Sequence, residues 1–235
     1  MKRIAVGVAD LRAKPKFRSE RISQMVYGEE VRVLGAEGDY YRATGRDGYE
    51  GYIQKTLVDD LDGDRAYKLA ARHHSGGLAL PFGSYLSERE AERLRVPRRL
   101  LIPVDRAADP VALAKDFLGV PYLWGGTSDF GYDCSGFTQR LFRYSCTELP
   151  RNADWQRDAG EEVDGFGAAR RGDLVFFTGH VAIHLGGRRI IHSNLSHGGV
   201  SVTDLSDRSA YSRRLLGILE GIRRFEGTDF TRGRA

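Results

Sequence analysis

One cysteine and two histidines occur in an order that places them on three different elements of secondary structure. Cys134 follows a glycine-rich turn and opens a stretch whose apolar residues recur at helical spacing. His180 and His192 fall in consecutive runs of β-type residues. A cysteine followed by a histidine on a strand, with a further polar residue on the neighbouring strand, supports nucleophilic attack on a carbonyl carbon.

The position of Cys134 at the start of a predicted helix gives this chemistry a physical basis. Unpaired backbone N–H groups and the positive end of the helix dipole stabilise a thiolate. We therefore expect the pKa of the Cys134 thiol to lie below its ordinary value of about 8.5. Gly136 lowers helix propensity by about 1 kcal/mol, which indicates close approach of a substrate to the backbone there.

The hairpin that joins the two histidines carries a geometric condition. Side chains alternate across a strand, so a two-residue turn at Gly186 and Gly187 would place His180 and His192 on opposite faces. If both serve one site, the connection needs an odd number of loop residues or a β-bulge. His184 shares a face with His180, and we interpret it as a structural neighbour. No role is assigned to the remaining histidines, which are His73, His74 and His197 and which the pattern places in loops.

The elements that would position these residues divide the chain into three regions. Residues 1–60 alternate short β-type runs with turn residues, which is typical of a small antiparallel barrel. Stretches that resemble a bacterial SH3 (SH3b) domain cover residues 8–12, 23–29 and 48–53. Residues 61–106 contain one hairpin-like stretch at 78–84 and a charged helical run, and predict a truncated second SH3-like unit or a linker.

From residue 107 to residue 235 helices come first and strands follow, which predicts an α+β domain. Asp109 and Pro110 form an N-cap and N1 pair at the start of the first helix. Strands are predicted over residues 173–178, 180–185 and 188–193, and the apolar run 215–222 is a strand or a short helix.

Composition excludes several classes of protein. The chain has 235 residues with 41% hydrophobic residues, enough for a core, and its net charge of +4 is spread over short, separated basic patches. This pattern favours a solvated surface over a nucleic-acid partner. No apolar run approaches the roughly 18 residues of a membrane span, and the start lacks the pattern of a signal peptide, so we expect a cytoplasmic protein. Cys134 and Cys146 are expected to be free thiols.

The second half of the chain resembles the NlpC/P60 family of cell-wall cysteine peptidases. The matching stretches are residues 121–126, 132–136, 149–151, 171–177, 179–183 and 191–193, in the family's order. This resemblance implies a papain-like α+β catalytic domain. With the SH3b barrel and the short second SH3-like segment in front of it, the chain looks like the YkfC-type γ-D-glutamyl-L-diamino acid endopeptidases, which trim peptidoglycan stem peptides.

By resemblance, Cys134 is the nucleophile, His180 the general base and later the general acid, and His192 the residue that orients His180. The backbone N–H of Cys134 and the side chain of Tyr122 would meet the oxyanion. The resemblance implies no metal or other cofactor. A metal site built from Cys134, His180, His184 and His192 is the alternative on ligand type alone.

The resemblance also implies contacts with a small zwitterionic peptide, L-Ala-γ-D-Glu-diamino acid. In the SH3b-bearing relatives the first domain closes one end of the groove, so that only a free N-terminal L-Ala fits. Tyr49 matches the SH3b tyrosine of that site, and Glu20 a second acidic contact. Asp133 matches the carboxylate that meets the ammonium group, and Ser135 and Arg151 match positions that hold the D-Glu α-carboxylate. Asn152 departs from the family, which more often has Asp there.

Each of these substrate contacts has a structural alternative: Tyr49 as barrel core, Asp133 as an N-cap, Arg151 as a surface charge. The resulting hypothesis is a cytoplasmic peptidase that recycles murein peptides, without nucleic-acid or membrane partners. Two alternatives stay open, an exported hydrolase of polymeric peptidoglycan and a non-catalytic SH3b wall-binding protein. The sequence leaves open the preferred diamino acid and the oligomeric state.

Overall fold

The computed structural model describes residues 2–60 and 63–225, so the predicted end of the peptidase domain at 226–235 lies outside the described residues. The chain forms two compact units. The first comprises residues 1–106 together with 124–130, and the second comprises residues 107–123 and 131–235. Within the described ranges, no helix combines the length and the apolar character needed to cross a membrane.

The predicted barrel at the start of the chain is confirmed. Its strands are β1 (Lys2–Ile4), β2 (Val8–Arg12), β3 (Arg21–Val26), β4 (Glu30–Glu37), β5 (Tyr40–Thr44), β6 (Glu50–Gln54) and β7 (Val58–Asp60). They form one sheet in the order β3-β2-β6-β5-β4-β1-β7. Ala9 and Leu11 on β2 are buried while their neighbours are half-exposed, as a strand with one face on a core requires.

The segment that follows the barrel adds a small sheet, a hairpin and a helix to the first unit. The elements are β8 (Tyr67–Leu69), β9 (His73–Ser75), β10 (Leu78–Leu80), β11 (Tyr85–Leu86), α1 (Glu88–Arg93) and β12 (Leu101–Pro103). Strands β11, β8 and β12 form one sheet, and β9 pairs with β10. His73 and His74 therefore lie on a strand, and their predicted placement in loops is wrong. Tyr27 of the barrel shares a buried cluster with Leu69 and Leu80 of this segment.

A buried carboxylate links α1 to the barrel. Ser87 caps α1 in a capping box with Glu90, whose Oε2 accepts the Ser87 N–H at 3.0 Å. The Oε1 atom of Glu90 accepts the Tyr27 hydroxyl at 2.6 Å and also accepts from Arg3 on β1. These contacts lower the pKa of Glu90 although burial raises it. The Glu90 side chain thus helps to cap the N-terminus of α1 and joins this helix to two parts of the barrel.

Residues 124–130 belong to the first unit, although they lie far from it in sequence. They contain β13 (Thr127–Ser128). The Thr127 N–H donates to Gln24 Oε1 at 3.2 Å, and its hydroxyl donates to the Gln24 carbonyl at 2.9 Å. Asp129 accepts from Arg72 and from the backbone N–H of Phe82. Buried hydrogen bonds thus fix both halves of this segment.

The second unit is the predicted α+β domain. Its elements are α2 (Pro110–Ala114), β14 (Gly131–Tyr132), α3 (Cys134–Tyr144), α4 (Ala153–Ala159), β15 (Glu161–Val163), α5 (Gly165–Ala168), β16 (Leu174–Phe177), β17 (His180–Gly186), β18 (Arg189–Asn194), β19 (Gly199–Asp204), α6 (Ala210–Gly217) and β20 (Leu219–Arg224). Asp109 caps α2 as predicted. The sheet has the order β15-β20-β16-β17-β18-β19. The apolar run 215–222 divides between α6 and β20.

Replacing Glu90 with Gln tests the link between α1 and the barrel. We expect the free energy of unfolding at pH 7 to fall by about 2–3 kcal/mol, because the charge that Arg3 and Tyr27 contact is lost. The folded-state pKa of Glu90 lies below its ordinary 4.5, so this stabilisation is present above that pH and is lost as the pH falls through the lowered value. Urea unfolding at pH 7 and pH 3 measures both effects.

Glu92→Gln is the matched control, because Glu92 is exposed on the same helix. Its free energy of unfolding should stay within about 0.5 kcal/mol of the wild-type value. Equal destabilisation by the two substitutions would contradict the role given to Glu90.

Candidate active site

The start of α3 positions Cys134. Asp133 caps this helix, and its Oδ1 accepts the Gly136 N–H at 2.6 Å. The Cys134 thiol accepts hydrogen bonds from the backbone N–H groups of Val181 and Ser135. Helix α3 also packs against β17 and β18. The sulfur therefore lies where the first turn of α3 meets the strand that carries His180.

The hairpin between β17 and β18 contains a bulge, which is one of the two connections, an odd loop or a bulge, that the sequence requires if both histidines serve one site. Ile183 lies opposite Ile191 and His184 opposite Ile190, but the next pair is Gly186 with Arg189. The extra residue shifts the alternation of side chains by one position. Gly186 has a φ of +107°, a conformation that other residues rarely adopt. The bulge thereby places His180 and His192 on one face of the sheet.

The two histidines are hydrogen-bonded to each other. The Nε2 atom of His180 lies 2.7 Å from the Nδ1 atom of His192. On its other side, His192 Nε2 lies 2.9 Å from the Thr203 hydroxyl. His192 is fully buried, and each of its ring nitrogens contacts a protein partner. This arrangement engages Nε2 of His180 and leaves Nδ1 as its second ring nitrogen.

Burial sets the protonation states of Cys134 and His180. It raises the pKa of the Cys134 thiol to about 11, with the Asp133 charge adding to the rise, and the N–H groups of Val181 and Ser135 offset only part of this. The predicted lowering of the pKa of Cys134 is therefore wrong, since desolvation outweighs the helix terminus. Burial also lowers the pKa of His180 to about 4. The resting site thus holds a thiol and a neutral imidazole.

Tyr122 lies near enough to Cys134 and Asp133 for their charges to act on its phenol. Burial, followed by these two charges, raises the pKa of Tyr122 to about 12. Its backbone N–H donates to the Gly198 carbonyl at 2.9 Å, which holds the residue beside the turn that precedes β19. The phenol therefore keeps its proton at neutral pH and has an O–H to donate.

Asp133, Ser135 and Arg151 form a buried polar cluster at the start of α3. The two guanidinium nitrogens of Arg151 donate to the two Asp133 oxygens at 3.1 and 2.5 Å. One of them also donates to Ser135 Oγ at 2.9 Å. Arg151 is 2% exposed, so it is not a surface charge. The structure brings these three predicted residues together, and their contacts with a substrate stay predictions.

Gln156 on α4 is a residue of this region that sequence reasoning missed. Its amide nitrogen donates to the carbonyls of Ser135 at 3.0 Å and Pro150 at 2.8 Å, and its oxygen accepts the Thr138 hydroxyl at 2.8 Å. The side chain is fully buried. Gln156 therefore ties the first turn of α3 to the loop that carries Arg151. A lone glutamine carries no spacing signal, which is why the pattern did not reveal it.

His184 has a structural position, as interpreted from its sequence. Both ring nitrogens face backbone carbonyls, Nδ1 that of Arg170 and Nε2 that of Gly187, each at 3.0 Å. These contacts join the bulged hairpin to the loop before β16. With a backbone carbonyl against each ring nitrogen, the surroundings of His184 fit a structural role better than a metal ligand.

Two predicted substrate residues lie in the first unit. Tyr49 is half-buried and packs against the barrel core, and its backbone N–H donates to Asp47 Oδ1 at 3.1 Å. Glu20 accepts the indole N–H of Trp124 at 2.8 Å. The roles of Tyr49 and Glu20 toward a substrate stay predictions.

Replacing Gly186 with Ala tests the bulge. A Cβ at this positive φ costs about 1–2 kcal/mol, so we expect the free energy of unfolding to fall by that amount. The space around Gly186 is open, which excludes a clash as the cause. Gly217→Ala is the control, because Gly217 is equally open and has no positive φ. Urea unfolding compares the two, and an equal effect would contradict the role of backbone conformation.

Replacing Arg151 with Met tests the buried ion pair. Asp133 would keep its charge but lose the guanidinium, and we expect a loss of about 3–5 kcal/mol in the free energy of unfolding. Arg189→Met is the control, because Arg189 is exposed. Adding Asp133→Asn to Arg151→Met should recover part of the loss, since the unpaired charge is removed. A wild-type stability in Arg151→Met would show that the pair contributes nothing.

Comparison with known proteins agrees with this geometry. Residues 119–220 match the NlpC/P60 family, and residues 7–59 match the bacterial SH3 domain. A gamma-D-glutamyl-L-lysine dipeptidyl-peptidase of Bacillus cereus is 37% identical over 113 residues, which are 45% of this chain and 34% of that protein. The alignment thus spans about a third of that relative's length.

Two further matches extend over most of the chain. Dipeptidyl-peptidase 6 of Lysinibacillus sphaericus is 24% identical over 89% of this chain and 93% of its own length. The crystal structure of an NlpC/P60 family protein from Bacillus cereus superimposes with a TM-score of 0.77 at 20% identity, covering 96% of this chain and 99% of that one, which shows a shared fold. The chain therefore combines a bacterial SH3 domain, matched over residues 7–59, with an NlpC/P60 domain, matched over residues 119–220.

Proposed function

We propose that this protein is a cysteine endopeptidase that hydrolyses the γ-D-glutamyl-L-diamino acid bond of peptidoglycan stem peptides with a free N-terminal L-Ala. The observation that carries the proposal is the placement of Cys134 at the start of α3, beside the strand on which His180 is held by His192. The substrate is supported by the names of the relatives, one a gamma-D-glutamyl-L-lysine dipeptidyl-peptidase and another a dipeptidyl-peptidase.

In the proposed acylation step, Nδ1 of His180 takes the thiol proton while the Cys134 sulfur attacks the γ-carbonyl carbon of D-Glu. Burial raises the pKa of Cys134 and lowers that of His180, so both groups start in their neutral forms and His180 serves as the general base. The backbone N–H of Cys134 and the phenol of Tyr122 donate to the oxyanion. The imidazolium of His180 then gives its proton to the departing amine of the diamino acid.

Deacylation uses the same groups in reverse order. The thioester between Cys134 and the γ-glutamyl group is attacked by water, from which His180 takes a proton. The tetrahedral intermediate collapses, the sulfur leaves, and the proton returns to it from His180. The products are L-Ala-γ-D-Glu and the diamino-acid fragment.

Recognition of the peptide ends is the finer part of the proposal. Asp133 would meet the N-terminal ammonium, and Ser135 and Arg151 would meet the D-Glu α-carboxylate. A zwitterionic peptide suits the ion pair between Asp133 and Arg151, because binding would replace this one ion pair with two ion pairs between the protein and the peptide. By resemblance, Tyr49 and Glu20 would also act on the N-terminal end of the peptide.

The place of the reaction is also proposed. A peptidase that requires a free L-Ala acts on peptides already released from the wall, which is a recycling step, and we propose that it occurs in the cytoplasm. Cell fractionation with an antibody to the protein separates this from export. Recovery outside the cytoplasm would favour hydrolysis of polymeric peptidoglycan instead.

Incubation with L-Ala-γ-D-Glu-L-Lys, its diaminopimelate analogue and the N-acetylated forms of both tests the proposal. We expect release of the diamino acid from the free peptides, cleavage of the acetylated peptides at least about tenfold slower, and loss of at least about 10³-fold in Cys134→Ala. Liquid chromatography with mass spectrometry measures the products. Cys146→Ser, which changes the other, exposed cysteine, should retain full activity.

The outcomes separate the alternatives. Equal cleavage of free and acetylated peptides would remove the requirement for a free amine. Full activity in Cys134→Ala would contradict the proposed attack by the Cys134 sulfur. Binding to intact peptidoglycan without turnover of any of the four peptides would favour a non-catalytic wall-binding protein.

A further inference from the structure

The hydroxyl of Thr203 lies at the end of a chain of hydrogen bonds that begins at His180. Strand β19 pairs with β18, and Ile190 lies opposite Thr203 while His192 lies opposite Ser201. Thr203 is thus a diagonal neighbour of His192, within reach of its ring. Its Oγ1 lies 2.9 Å from His192 Nε2, and the side chain is 5% exposed.

The direction in which protons are donated along these hydrogen bonds decides whether His180 can act as a base. A neutral imidazole has one N–H, so a contact at each nitrogen of His192 requires it to donate at one and accept at the other. When His192 donates to Thr203, it accepts from His180 Nε2, and Nδ1 of His180 carries a lone pair. When Thr203 donates instead, the order reverses and His180 carries its proton on Nδ1, where it cannot accept one from Cys134.

We propose that Thr203 is a positioning residue that holds His192 in the tautomer with its proton on Nε2, so that His180 presents an unprotonated Nδ1 to Cys134. This inference rests on the roles proposed above for Cys134 and His180. Thr203 acts through His192, whose ring its hydroxyl contacts.

The burial of His192 makes the hydroxyl necessary. A buried N–H without an acceptor is disfavoured more strongly than a nitrogen lone pair without a donor. Without the Thr203 oxygen, His192 would therefore move its proton to Nδ1, where His180 Nε2 accepts it. The hydrogen bond between the two histidines would then run in the reverse direction, and His180 would carry its proton on Nδ1.

The hydroxyl matters most after His180 has taken the thiol proton. The imidazolium of His180 donates from both nitrogens, so His192 must accept at Nδ1 and donate at Nε2. Thr203 is the acceptor for the proton on His192 Nε2. Removing it destabilises the imidazolium and lowers the pKa of His180 further.

The other groups around His192 do not replace Thr203. Tyr211 on α6 lies with its ring centre 6.3 Å from that of His192, and His197 packs on Tyr211 at 4.7 Å. Burial first, then the charges of His180 and His197, lowers the pKa of His192. His192 is therefore neutral at neutral pH, which is the condition under which its tautomer matters.

Comparison of Thr203→Val with Thr203→Ser tests the proposal. With L-Ala-γ-D-Glu-L-Lys as substrate, we expect kcat of the Val variant to fall at least about tenfold with little change in KM, since a wrong tautomer in a serine-protease triad costs about 10⁴-fold. The acid limb of its pH profile should move to lower pH. The Ser variant keeps the oxygen and should restore both. Thr44→Val, which removes a buried hydroxyl from β5, is the control and should change neither.

Long-range ¹H–¹⁵N spectra of the imidazole rings give a readout that needs no substrate. His192, assigned with His192→Asn, should carry its proton on Nε2 in the wild type and in Thr203→Ser, and on Nδ1 in Thr203→Val. An unchanged tautomer in the Val variant, or an equal loss of kcat in the Val and Ser variants, would overturn the proposal. If the tautomer changes but the wild type does not cleave the peptide, the substrate assignment fails and the role of Thr203 stands.

Discussion

Two imidazole rings can share a hydrogen bond only if both project from the same face of their sheet, and this condition governs the catalytic half of the molecule. His180 and His192 lie 12 positions apart in the sequence, an even number, so a regular hairpin with a two-residue turn would set them on opposite faces. The bulge before Gly186 removes this conflict. His184 then fixes the bulged end of the hairpin to Gly187 and Arg170.

Burial is the second determinant of the site. Partial burial of Cys134 and His180 and full burial of His192 raise the pKa of the thiol and lower the pKa values of the two imidazoles, so each group favours its neutral form. Protein groups contact all three side chains: backbone N–H groups the sulfur, His192 the ring of His180, and Thr203 the ring of His192.

The division of the chain into compact units does not follow the division of its sequence into motifs. Residues 124–130 begin inside one motif of the peptidase family and end just before the next, yet their hydrogen bonds run to Gln24, Arg72 and Phe82 of the first unit. The same applies to α1, whose Glu90 bonds to Tyr27 and Arg3 of the barrel. Polar side chains that are buried in this way must find partners, wherever in the sequence these lie.

The sequence by itself determined the local features of this protein. Alternating apolar residues predicted the barrel, and the Asp109-Pro110 pair predicted the start of α2. The spacing of His180 and His192 predicted an odd loop or a bulge between them if both serve one site. Each of these features depends on neighbours along the chain. The motifs also identified the family.

Only the tertiary structure decided what depends on burial and on distant contacts. It reversed the expected pKa shift of Cys134, because desolvation depends on everything packed around the sulfur. It paired Asp133 with Arg151 and revealed Gln156 and Thr203, whose residue types carry no signal of their own. Spacing along a chain fixes which side chains share a face, whereas hydrogen-bond partners and solvation are fixed by contacts that form only when the chain is folded.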